Sequence, residues 1–263
     1  ILTASRDISF SATAQNQIEI ELNTSSTLNI ERNFVRGSPA YGILDCNDNT
    51  TLVFNSSEYL QTFPQNTGSG TDDFTYQNIT INNSRITSPQ ISLEGDVSIP
   101  GTLTLTDGNI LTTASNLLTL ENGASVAGGS SNSYIEGPIE KIGNAGFNFP
   151  VGKNGNYKPV SISAPSNATD AFIAEYFNEN PDVSYDISLK EATIDHVANC
   201  EYWTVDRSNG SSNVDVTIGW DGTSCCINDL VLLKVVAWDG AQWTNLGNGG
   251  TTGNLLSGTI TSS

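Results

Sequence analysis

Asp72-Asp73 is the most conspicuous acidic pair in the chain, and Arg85 follows it a short way downstream. Glycan cleavage by paired acids needs two carboxyl groups about 5 to 9.5 Å apart across a sugar. Adjacent residues on a strand point to opposite faces, so this pair supplies one of those groups at best. The plainer expectation is two solvated loop acids beside Gly70. The single histidine, His196, follows Asp195, which invites a catalytic-triad reading. No Gly-x-Ser-x-Gly elbow accompanies it, and the nearest match, Gly68-Ser-Gly70, lies in the other half of the chain. A surface or packing histidine is therefore expected.

Calcium suits the composition better than catalysis does. The chain has 28 acids and many Asn-rich turns, and a hard cation takes six to eight oxygens. The candidate ligands are Asp45 and Asp48 in Asp-Cys-Asn-Asp-Asn, then Asp182 and Asp186, with Asp221 or Asp239 as further turn acids. None has EF-hand spacing or the Gly-rich nonapeptide that winds around calcium, so solvated turn acids remain the competing reading.

All four tryptophans, Trp203, Trp220, Trp238 and Trp243, fall in the C-terminal half. An exposed row of them would be a sugar-stacking platform. Trp238 and Trp243 flank an Asp-Gly turn and are the ligand-binding candidates, with Trp243 expected to be the most exposed; Trp203 and Trp220 are expected in the core. Four cysteines, Cys46, Cys200, Cys225 and Cys226, allow three connectivities. A bond within the vicinal pair would be strained, so Cys200 is expected to join Cys225 or Cys226. The remaining thiol is then free or reaches Cys46.

The elements that must position these residues are short. Between Ile79 and Ile135 apolar residues arrive as triplets centred on a hydroxyl: Ile79/Ile81, Ile91/Leu93, Val97/Ile99, Leu103/Leu105 and Leu118/Leu120. Each triplet predicts a very short strand with one buried face, and Gly, Asn, Asp or Pro turns the corner after it. Leu28, Leu52, Ile79 and Leu103 are spaced by 24, 27 and 24 residues, the interval of a solenoid whose corner loops vary in length. Gln65 to Asp73 reads as a protruding loop. Beyond Gly155 the strands lengthen, with candidates at Phe172–Phe177, Glu201–Val205, Val214–Trp220 and Leu230–Trp238; Leu189 to Ala198 is the only stretch that suggests a helix. The expected architecture is all-β: a right-handed parallel β-helix over 1–153, then an antiparallel, Ig-like β-sandwich over 154–263.

A formal charge of −18 would repel nucleic acids and anionic membranes. No apolar run is long enough to span a bilayer, so neither membrane insertion nor a nucleic-acid partner is expected. Methionine is absent even at position 1, which reads as a mature or excised segment.

Several words carry a resemblance: Gly129-Ser-Ser-Asn-Ser-Tyr-Ile-Glu-Gly-Pro-Ile-Glu-Lys141, Phe147-Asn-Phe-Pro-Val-Gly-Lys153, Tyr157-Lys-Pro-Val160, Ala168-Thr-Asp-Ala-Phe-Ile-Ala-Glu-Tyr-Phe177 and Glu201-Tyr-Trp-Thr-Val-Asp-Arg207. Over roughly Leu103 to Gly247 the chain resembles large Bacteroidota surface and secreted proteins exported by type IX secretion, gliding-motility adhesins among them. The resemblance implies a β-helical stalk carrying a β-sandwich, on the cell surface or in the medium. It implies no reaction, because the family mixes adhesins, filaments and enzymes. The expected role is a non-catalytic extracellular adhesive module that binds a surface or glycan. The alternatives are a secreted polysaccharide lyase or hydrolase, and a self-assembling protomer of a filament or secretion machine. Expected partners are a polysaccharide, or a cell-surface or secretion-machinery protein.

Overall fold

Each triplet forms a strand with buried ends and an outward-facing centre. Ile91–Leu93, Val97–Ile99 and Leu118–Leu120 all read buried, half-buried, buried. Strands of three residues cannot stand alone. They hold because each pairs in parallel with the strand one coil away, in the computed structural model that describes residues 1–10, 19–36, 42–66 and 74–263. The chain is all-β, a parallel β-solenoid of about five turns continued by sandwich-like antiparallel sheets. Leu28 pairs with Leu52, Leu52 with Ile79 and Ile79 with Leu103, so the intervals of the sequence are the coil lengths.

Three walls result. The first is a six-stranded parallel sheet of Leu2–Ala4, Thr27–Ile30, Thr51–Phe54, Asn78–Asn82, Thr102–Asp107 and Ser125–Gly128. The second stacks Gln61–Phe63, Ile91–Leu93, Ile110–Leu111 and Ile135–Glu136. The third begins with Val97–Ile99, Leu118–Leu120 and Ile139–Ile142. Like residues lie above like residues in such a stack, which makes the interior columns apolar: Leu28, Leu52, Ile79 and Leu103 are each at most 2% exposed. Full burial of one such side chain contributes about 1.5–3 kcal/mol. Toward the N-terminal end aromatic rings take over, with Phe34 edge-on to Phe74 and Phe10 tilted against both.

The change of architecture happens within one sheet. Ile139–Ile142 pairs in parallel with Leu118–Leu120 on one edge and antiparallel with Ala171–Phe177 on the other. Tyr202–Asn209 then adds to that edge. Phe147–Phe149 opens a second antiparallel sheet with Val160–Ile162, Val216–Trp220, Ser257–Thr261 and Gly250–Asn254. A single hydrophobic cluster runs from Phe10 to Tyr176, across both architectures.

Two local expectations are corrected. Leu230–Trp238 is not one strand: only Val236–Trp238 pairs, with Trp243–Asn245. The Val231 N–H donates to Asp229 Oδ1 (2.8 Å) and turns the chain. Leu230 and Leu233, three apart, then pack against the Trp220–Ile260 cluster, while Val231 and Leu232 face solvent. Leu189 to Ala198 forms no helix; the helical turn among the described residues is the 3-10 turn Pro181–Val183.

Candidate functional site

A cleft of about 610 Å³ crosses three stacked coils at one corner of the solenoid. Its floor follows from the register of the second wall. Ile91, Ile110 and Ile135 are inward-pointing partners on successive coils, so the residues before them, Gln90, Asn109 and Tyr134, occupy one corner column. Asp107 and Asn132 stand on one side of this column, Leu111 and Glu136 on the other. The Arg85–Pro89 corner closes one end and the Gly152–Tyr157 hairpin the other, bringing Ile86, Ser88 and Pro89 to face Asn154 and Gly155.

Buried amides fix this corner. Gln61 donates through Nε2 to the Ile30 and Arg32 carbonyls, both at 2.7 Å, and its Oε1 accepts from Asn83 Nδ2 at 3.0 Å. Gln90 donates to the Arg85 carbonyl at 2.8 Å and accepts from the Asn109 N–H at 2.8 Å. Corners carry backbone groups that the strand ladders cannot reach, and these side chains satisfy them. Arg85 has a structural task too: its guanidinium donates to the Thr87 and Pro89 carbonyls and braces the overhanging corner. At the far end Tyr134 accepts from the Gly155 N–H at 2.9 Å; burial raises its hydroxyl above the ordinary value, an effect that this bond partly offsets.

One acceptor in the floor is left over. Asn109 is 7% exposed; its N–H and Nδ2 are spent on Gln90 and Ser88, and its Oδ1 has no partner. That oxygen is sealed from the cleft, which presents the half-buried carboxylates of Asp107 and Glu136. No Lys or Arg lines it.

The residues singled out in the sequence lie elsewhere. Asp72 and Asp73, with Gly68-Ser-Gly70, fall outside the described residues. Asp195 and His196 pair with each other at 2.9 Å on an exposed loop. Three of the calcium candidates accept ordinary hydrogen bonds through their carboxylates, Asp45 from a neighbouring coil and Asp182 and Asp186 within one turn. Asp45 accepts from Thr75 (2.9 Å), Asp182 from the Ile187 N–H (3.0 Å), and Asp186 from the Ser188 N–H and hydroxyl. Asp48 is exposed, and its carbonyl accepts from the Ser25 N–H. Among the described residues no three His, Cys, Asp or Glu side chains gather as a metal site would require.

The tryptophan platform is also corrected. Trp243 is 6% exposed, packs edge-on against Trp238 and directs its Nε1 at the Tyr185 carbonyl, so it belongs to a small core of its own. Trp238 is half-buried in the same cluster. The hairpin that joins these two rings packs onto Tyr185, Ile194 and Val197 from a neighbouring loop, which removes the exposed face. Trp220 is in the core as expected, and Trp203 is half-buried with its Nε1 donating to the Lys158 carbonyl.

Cys200 bonds Cys225, leaving Cys226 exposed and Cys46 buried. Cys46 is a free thiol, which burial pushes up to about 12. Beside the disulfide lies a buried charge network that sequence reasoning missed. Lys158 Nζ is 2.8 Å from Asp221 and 3.3 Å from Glu201, and Glu201 accepts from Tyr176 at 2.8 Å. The four segments supplying these groups are far apart in sequence, and no local pattern announces them.

Comparisons with protein-family models, with curated proteins and with solved structures found no match to this chain.

Proposed function

We propose that the chain is a non-catalytic extracellular module of a large surface protein, mechanical in build and adhesive in use. The observation carrying this reading is the uninterrupted hydrophobic cluster from Phe10 to Tyr176. It makes solenoid and antiparallel sheets one stiff body, able to hold a binding surface at a fixed orientation. A disulfide fits an oxidising compartment, and hydroxyl-centred outer walls keep an elongated body soluble. Beads coated with the full chain and held on glycan-coated surfaces under flow test the reading. Retention that soluble glycan competes away supports it; retention no better than albumin-coated beads overturns it.

A second reading, a polysaccharide hydrolase, is favoured by one observation, the two carboxylates Asp107 and Glu136 on a shared cleft. Release of reducing ends from a polysaccharide panel, abolished by Glu136→Gln, would establish it in place of the first.

A further inference from the structure

We infer that Lys158 and Asp221 are the partners of an intramolecular isopeptide bond, formed by the chain itself with Glu201 as the proton carrier. The amine and the carboxyl are already in contact. Lys158 Nζ is 2.8 Å from Asp221 Oδ1, and a C–O bond is about 1.2 Å long, so Nζ lies within about 4 Å of Cγ. The Ser224 hydroxyl accepts from Nζ at 2.8 Å and fixes its direction. Glu201 Oε2 stands 3.3 Å from the same nitrogen, held there by the Tyr176 hydroxyl at 2.8 Å. Lys158, Glu201 and Tyr176 are all buried.

A plain ion pair needs one carboxylate, and this buried amine has two. Burying charges is costly, and condensation removes one of each sign. The step balances without an oxidant or a reductant. Nζ attacks Cγ, a C–N bond forms and one C–O bond breaks, and two ammonium protons leave with that oxygen as water. Glu201 takes a proton from Nζ and returns it to the departing oxygen, a general acid–base role. It is then left between two donors, the new amide N–H and Tyr176. Asp221 is 47% exposed on its outer flank, which lets the water out. Well-oriented intramolecular reactions reach effective molarities of about 10⁵–10⁸ M, which favours the amide over its hydrolysis. The step is slow, because the Asp221 carboxyl is held ionised beside the ammonium and the uncharged pair is rarely populated. The freshly folded chain is therefore ion-paired, and the linked chain accumulates from it. Lys158 lies just before Val160–Ile162 and Asp221 just after Val216–Trp220, so the bond ties neighbouring antiparallel strands at one end.

Intact-mass spectrometry of the full chain, refolded and sampled over about a week, tests this. A species lighter by one water should accumulate. After reduction and trypsin digestion, fragmentation should find segments 154–190 and 208–234 joined through Lys158 and Asp221. Asp221→Asn should give the same joined peptide with ammonia lost in place of water. Glu201→Gln should slow the linkage at least about hundredfold in chain that circular dichroism shows to be folded. Should that variant fail to fold, the joined peptide of the unmodified chain and the ammonia loss of Asp221→Asn still decide. Asp221-Gly222 offers a competing loss of water, closure to a cyclic imide within that dipeptide. A lighter species whose 154–190 peptide runs free overturns the inference. Full mass retained through the week, or linkage at an unchanged rate in folded Glu201→Gln, overturns it as well.

Discussion

Lys158 is 3% exposed and sits between Glu201 and Asp221, on the short link before Val160–Ile162 that nothing but tertiary packing brings to them. Removing one member of a buried pair leaves an uncompensated charge, a loss of about 3–5 kcal/mol. Lys158→Met should therefore lower stability by that order in chemical denaturation, and Lys158→Met with Glu201→Gln should recover part of it. The Asp221 carboxyl shows the same network from its exposed side. Burial pushes it upward, but hydrogen bonds from Lys158 and Thr223 outweigh burial and bring it from 3.8 to about 2. A depressed carboxylate contributes stability that is complete above its unfolded value and lost as pH falls through the folded one. Melting curves should thus fall between about pH 4 and pH 2, and Asp221→Asn should flatten that segment of the profile. The cysteines give a third check. Alkylation of the folded, unreduced chain should label Cys226 alone, denaturation should add Cys46, and reductant should add the last two. Reduction should cost about 3 kcal/mol, given the 25-residue separation of the bonded pair.

At the level of strands, the triplets were legible because a coil buries every second residue and pairs each strand with its image one turn away. Leu28, Leu52, Ile79 and Leu103 carried the register in their spacing alone. Leu230–Trp238 misled because a run of apolar residues says nothing about whether a partner strand is present; here Leu230 and Leu233 anchor a loop instead. The cleft was hidden for another reason. Gln90, Asn109 and Tyr134 share no residue type, and only the stacking register shows that they form one column. Their one common mark in the sequence is a polar group directly before an inward isoleucine. Stacking also makes some positions intolerant of any side chain. Gly128 has φ +81°, and a Cβ there would lie 2.2 Å from the Leu105 carbonyl oxygen. Gly128→Ala should destabilise by more than the roughly 1 kcal/mol of conformational strain alone, measured as a shift in denaturation midpoint.

For the molecule as a whole, the shared core predicts a single cooperative unfolding transition rather than separate melts for solenoid and antiparallel sheets. Differential scanning calorimetry checks this, and two resolved peaks would contradict the continuity of the core. The parallel pairing has a mechanical consequence as well. Bonds between coils point along the stacking direction, so tension drawn lengthwise concentrates on the outermost turn and opens it before its neighbour feels the strain. Every turn shed would free 23 to 27 residues, a contour gain of about 75–95 Å, in a staircase of near-equal steps. A stack built this way is stiff against sideways shear yet yields by instalments to a sudden pull, dissipating the load coil by coil.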